Sequence, residues 1–182
     1  MEAAAERLRA AGLRVTVPDL YGGQVAETLD EGFALSERIG WAAIMRRASD
    51  AVRDLPADAV LAGLSMGAGV AGELLADRPR AAGLLLLHGT GGEPRGGLAV
   101  QAHIGDHDEM FPPASVGDWR HRMEAGGAVV ELFTYPGAGH FFTDPDVPEH
   151  HAEAAGLAWR RSIEFLRERW TTNRHGNAAG AG

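Results

Sequence analysis

Ala59-Val60-Leu61-Ala62-Gly63-Leu64-Ser65-Met66-Gly67-Ala68-Gly69-Val70 is the stretch that decides the fold. Its first four residues are apolar without alternation, as in a strand covered on both faces. An apolar-periodic run through Val70, Leu74 and Leu75 to Ala76 predicts a helix, with Pro79 soon after its end. Between them lies a Gly-x-Ser-x-Gly pentapeptide, Gly63 to Gly67, at a strand-to-helix turn. So sharp a turn strains the serine backbone, and the two glycines are expected to prevent clashes on both sides. The turn would expose the Ser65 hydroxyl at the carboxyl edge of a sheet. The helix N-terminus behind it favours developing negative charge, and the Met66 N–H becomes a candidate oxyanion donor. The competing reading is a glycine-rich turn in which Ser65 is only an N-cap.

Outward from this segment, strands and helices alternate. Residues 2–11 read as a helix stopped at Gly12, and Leu13 to Val17 as a short strand closed by Pro18. Residues 18–32 are a polar, Gly-rich loop, and 33–54 carry Phe33, Ile39, Trp41, Ile44, Met45, Ala48 and Val52 at helical spacing. Beyond the turn, 83–87 is a fully apolar strand and 88–97 a Gly-rich loop. Residues 98–104 read as a strand, 114–125 as a helix, 128–133 as a strand, 135–148 as a loop, and 149–170 as a helix. Non-alternating strands separated by helices predict a mostly parallel sheet with helices on both faces, a three-layer α/β sandwich. Length and pattern place one domain over 1–170, followed by a disordered tail over 171–182.

Composition narrows the chemistry. The chain has no cysteine, which excludes disulfides, thiolate catalysis and Cys-based zinc sites. The formal charge is −8 and all 17 basic residues are arginine, so nucleic acid is not an expected partner. No apolar run approaches the roughly 18–20 residues that span a bilayer, so no membrane partner is expected. The start, Met1-Glu2-Ala3-Ala4-Ala5-Glu6-Arg7, lacks the basic and apolar stretches of a secretory signal, which predicts a cytoplasmic location.

A serine hydroxyl needs a base to take its proton, and the base is usually a histidine held by a carboxylate. Of the histidines after Ser65, His140 is best placed. It follows the last expected strand in Tyr135-Pro136-Gly137-Ala138-Gly139-His140-Phe141-Phe142, where small residues allow a tight loop and the two phenylalanines can exclude water. The acid is expected after strand 98–104, where Asp106, Asp108 and Glu109 compete, and spacing alone does not separate the two aspartates. His103, Asp106, His107 and Asp108 also invite a metal reading. They match no helical His-Glu-x-x-His pattern, and neither a metal nor a cofactor is expected.

Together these segments resemble the dienelactone hydrolase family of the α/β-hydrolase superfamily. Val17-Pro18-Asp19-Leu20-Tyr21-Gly22-Gly23, Gly63 to Gly67, and Tyr135 to Phe142 carry the resemblance, which runs from about residue 3 to 169. Within the family pattern the acidic loop has its aspartate three residues after a glycine and four before a proline, so Gly105 and Pro112 select Asp108. The best-known members use cysteine where Ser65 stands, so the serine implies an ester or lactone hydrolase more dependent on its histidine. The resemblance also implies earlier strands and a Gly-rich loop supplying a second oxyanion N–H. Neither is found before the first helix, so an N-terminally abbreviated sheet is expected. A gap inside the sheet would leave costly unpaired backbone groups, so the expectation is that the protein starts upstream of Met1, the alternatives being that the remaining strands close up or that the chain is a poorly stable remnant.

The leading expectation is therefore a hydrolase of small carboxylic esters or lactones. Ser65, His140 and Asp108 act as the triad, Met66 as oxyanion donor, and Tyr21, His88 and Phe141 as candidate substrate contacts on loops that shape the pocket. The alternative is a catalytically impaired protein of the same fold that binds a small molecule or a protein partner. The sequence specifies no oligomeric state.

Overall fold

The computed structural model describes residues 2–179, with side chains through Arg169. The chain divides into two compact units, Met1–Pro56 and Ala57–Gly182.

The first unit holds helices α1 (Glu2–Ala10), α2 (Leu29–Ile39) and α3 (Trp41–Val52). Residues 13–17 form no strand in it. β-propensity mostly measures fit against neighbouring strands, and this unit has none among its described residues. The single helix expected over 33–54 is two helices broken at Gly40, which holds φ +79°. Apolar spacing continues across the break, so periodicity alone passes over it. The helix also begins earlier than expected. Thr28 caps α2 by accepting the Glu31 N–H at 3.2 Å, and the Glu31 carboxylate accepts the Glu27 N–H at 2.9 Å. Thr-x-x-Glu is a legible capping signal.

The second unit is built on β1 (Leu61–Leu64), β2 (Leu84–Leu87), β3 (Ala99–Gly105) and β4 (Val129–Tyr135). All neighbours pair in parallel, in the order β1-β2-β3-β4. Parallel strands require crossovers, which α4 (Met66–Glu73) and α5 (Pro113–Ala125) supply before α6 (Ala152–Ala179) closes the unit. Every residue of β2 and β3 is buried, so both faces of the central strands are covered. This is the three-layer α/β arrangement that non-alternating apolar strands demand. The edge strand β4 instead exposes part of its length.

No strand forms at 13–17, so among the described residues β1 lies at an edge and β1 to β4 pair continuously, with no gap between them. The last helix runs past its expected end, through positions 171–179 where a tail was expected, because an established helix gains one hydrogen bond for each residue it fixes. Residues 180–182 of that expected tail lie outside the described residues.

Candidate active site

Only Ser65 separates the end of β1 from the start of α4. It holds φ +53° and ψ −120°, a conformation that costs an L-residue on the order of 1–3 kcal/mol. Hydrogen bonds hold it there. The Ser65 N–H donates to the Leu87 carbonyl at 2.9 Å, and the Ser65 carbonyl accepts the Ala68 N–H at 2.8 Å. Gly63 is obligatory, since a Cβ there would lie 1.9 Å from the Gly67 carbonyl oxygen. Gly67 is different: a Cβ at that position meets nothing within 4 Å. The expectation of a steric need at both glycines thus holds on one side only. Met66 is the first residue of α4, at the helix N-terminus beside Ser65.

His140 stands on the loop between β4 and α6. Its neighbours Ala138 and Phe142 are fully buried in a cluster with Tyr135, Ala154 and Ala158, which pins the loop on both sides of the histidine. The loop also approaches the end of β3 closely. A Cβ on Gly105 would lie 2.1 Å from the Ala138 carbonyl oxygen, so this glycine lets the acid loop and the histidine loop meet. Glu149 secures the outer side by accepting the Phe141 N–H at 2.9 Å.

Three side chains form one hydrogen-bonded chain. Ser65 Oγ is 2.8 Å from His140 Nε2, and His140 Nδ1 is 2.7 Å from Asp108 Oδ2. The other Asp108 oxygen accepts the N–H groups of Met110 (3.0 Å) and Phe111 (3.2 Å). An ionised carboxylate only accepts, so the proton between Asp108 and His140 belongs on Nδ1. Nε2 then carries the lone pair and accepts the Ser65 hydroxyl proton. The Asp108 side chain is completely buried and His140 is 7% exposed, so little water competes for these bonds. Phe111 stacks on the His140 ring at 5.8 Å and 9°, and Phe141 meets its edge at 4.3 Å. This arrangement can deprotonate a serine and stabilise the imidazolium that results.

Residues 1–170 match the model of the dienelactone hydrolase family. The chain belongs to that family. Among solved structures, it resembles a dienelactone hydrolase-like promiscuous phosphotriesterase from metagenomic libraries, with TM-score 0.74, 19% identity and coverage of 92% of this chain and 79% of that one. A dienelactone hydrolase candidate from Klebsiella pneumoniae is also similar, with TM-score 0.65, 20% identity and coverage of 82% and 73%. Apo esterase 2 from Thermogutta terrifontis gives TM-score 0.51 at 19% identity, covering 69% and 62%. Likeness at these identities is one of fold. No curated protein gives a significant match. Membership makes the chain an α/β-hydrolase-type hydrolase acting on small molecules.

The other candidates of this dienelactone hydrolase family member fall in distinct places. Asp106 accepts the Gly137 N–H at 2.7 Å and lies 3.9 Å from His107, so it braces the histidine loop from the surface. Glu109 is exposed. His103 is buried between β3, β4 and α6, with Nδ1 2.7 Å from Tyr135 Oη and Nε2 2.9 Å from Gln101 Oε1. Burial, then the charge of Arg161, lowers its pKa to about 3. The four residues that invited a metal reading therefore bond to different partners, and no group of three or more potential ligands converges among the described residues.

Phe141 touches the His140 ring. His88 packs beside His140 but is only 2% exposed, so it reaches the site through protein contacts. Tyr21 belongs to the first unit, where Asp19 accepts its N–H at 3.0 Å. Sequence reasoning missed Phe111, Thr143 and Glu149. Phe111 had a signal, because an Asp three residues before it predicts a side-chain-to-backbone turn. The contacts of Glu149 and Thr143 depend on chain reversals that no local pattern marks. Among the described residues, no helix is long and apolar enough to cross a membrane.

Proposed function

We propose that this protein hydrolyses carboxylic esters or lactones through an acyl-enzyme on Ser65. The observation that carries the reading is the continuous chain from Ser65 Oγ through His140 to Asp108, at 2.8 and 2.7 Å. Ser65 Oγ attacks the carbonyl carbon while His140 Nε2 takes its proton. The Met66 N–H supports the oxyanion. The bond to the leaving oxygen then breaks, and His140 returns the proton to that oxygen. Water attacks the acyl-enzyme with His140 again as base, releasing the acid and regenerating Ser65. Asp108 keeps the proton on Nδ1 and stabilises the imidazolium in both halves. The chemistry draws on no cofactor. Phe141, which meets the edge of the His140 ring, is a proposed substrate contact. The family match across both units supports treating 1–170 as one hydrolase domain, and the cysteine-free composition suits a cytoplasmic setting.

Turnover of p-nitrophenyl acetate by wild type and Ser65→Ala tests the reading. Removing a nucleophile of this kind costs about 10⁶-fold in kcat. Equal rates in the two proteins would refute it. Paraoxon belongs beside the ester, because a structural neighbour is a phosphotriesterase.

A further inference from the structure

His88 follows β2 directly, next to the backbone that receives Ser65. Leu87 accepts the Ser65 N–H, and the His88 N–H donates to the His103 carbonyl at 2.9 Å. His88 holds φ +58°. That region is disfavoured for a residue with a Cβ, so tertiary contacts must hold it there.

Those contacts lead to the histidine loop. Nε2 of His88 is 2.7 Å from Thr143 Oγ1. The ring meets Phe142 edge-on at 4.8 Å and His140 at 6.0 Å. His88 therefore touches the base itself and the second and third residues beyond it. Glu149 and α6 hold the outer side of this loop, while His88 joins its inner side to the strand that anchors Ser65. Nδ1 is buried without a partner in hydrogen-bond geometry. An apolar side chain would fill the same volume without that unpaired nitrogen, but it could not bond Thr143.

We propose that His88 is a positioning residue for His140: bonded to Thr143 and packed against Phe142 and His140, it sets the spacing at which Nε2 of His140 reaches Ser65 Oγ. This inference rests on the reading of Ser65, His140 and Asp108 as the catalytic set. The ring suits the task electrically as well. Burial, then the electrostatic interaction with His140, lowers the His88 pKa to about 3, offset in part by a hydrogen bond to the His140 main chain. A neutral ring adds no repulsion when His140 becomes an imidazolium.

Four variants test this with p-nitrophenyl acetate. Asparagine tolerates positive φ, but in His88→Asn it is too short to reach Thr143, whereas His88→Gln carries an amide toward the position of Nε2. Thr143→Val removes the hydroxyl and Thr143→Ser keeps it. A misplacement of about 1 Å can cost on the order of 100-fold. His88→Asn and Thr143→Val should therefore lower kcat about 10- to 100-fold with KM within about 2-fold. The Gln and Ser variants should recover most of the loss, and the Asn/Val double variant should lose no more than the worse single one. Urea denaturation of each variant sets rates per folded molecule.

Wild-type kcat in folded Thr143→Val overturns the proposal, as do equal losses in Thr143→Val and Thr143→Ser. Should His88→Asn fail to fold, the Thr143 pair decides alone. Ser65→Ala separates the two levels. If it abolishes turnover while Thr143→Val is unimpaired, only the role of His88 fails. If it turns over like wild type, the catalytic reading beneath has failed.

Discussion

Replacing Asp108 with Asn probes the site most sharply, because the change is nearly isosteric and its effect follows from proton placement. In the native site one Asp108 oxygen accepts two backbone N–H groups, from Met110 and Phe111, and the other accepts His140 Nδ1–H. An asparagine amide has one oxygen and one NH₂. With its oxygen toward the two backbone donors, the NH₂ faces His140 Nδ1. Nδ1 must then give up its proton, which moves to Nε2, and His140 can no longer accept from Ser65. The opposite orientation spares His140 but sets the NH₂ against two N–H donors. Each buried, unmet donor costs about 1–3 kcal/mol, so this flip costs about 2–6 kcal/mol. The first orientation wins, and kcat should fall about 10⁴-fold while the fold persists. Asp106→Asn provides the contrast. Its hydrogen bond from the Gly137 N–H survives with an amide oxygen, and its 3.9 Å approach to His107 is exposed, so kcat should stay within about 3-fold. The assay is p-nitrophenyl acetate hydrolysis under saturating substrate, with near-ultraviolet circular dichroism to establish folding. A loss under 10-fold at Asp108, or a larger loss at Asp106, would refute the reasoning.

Two further outcomes follow from packing and burial. Gly63→Ala should cost about 1–3 kcal/mol or more, because its methyl would sit 1.9 Å from the Gly67 carbonyl oxygen, whereas Gly67→Ala should stay within about 1 kcal/mol; equal urea midpoints for the two variants contradict this. Acid should weaken the fold through His88 and His103, whose pKa values fall from 6.5 to about 3 on burial, so that between these pH values the unfolded chain binds more protons and stability drops as pH falls. From pH 7 to pH 5 the pair should remove about 4 kcal/mol, and His103→Gln should lose about half of that slope in urea titrations; an unchanged slope in the variant would contradict the burial argument.

The sheet was legible because burial imposes a pattern on sequence. Leu84 to Leu87 contains no polar residue and lies covered on both faces, so its strand needed no context to be read. Leu13 to Val17 has three β-branched residues, Val15, Thr16 and Val17, where Leu84 to Leu87 has none, and yet forms no strand. What separates the two is a neighbour to pair with, and pairing is decided by distant parts of the chain. The break at Gly40 hid for a related reason: Phe33, Trp41, Ile44, Ala48 and Val52 would share one face of a continuous helix, whereas Leu35, the residue that α2 buries, lies off that face.

At the site, legibility stopped where contacts between loops begin. Ser65 was marked by its turn, and His140 and the aspartates by their place after strands, all of which are local features. Nothing local distinguishes Asp106 from Asp108. Both follow Gly105, both are carboxylates, and both bond to the chain around them. They part because β3 ends in a glycine that admits the Ala138 carbonyl, which brings the histidine loop down onto one side of the acid loop. Asp108 lies on that side with its remaining lone pairs already filled by Met110 and Phe111, leaving one oxygen for His140. Asp106 lies on the outer side and holds the loop by its backbone at Gly137. One carboxylate thus acts on the imidazole and the other on the loop that carries it. This division also explains why His88 escaped notice as more than a pocket residue: it contacts the same loop from within, where its only sequence mark is its position directly after β2.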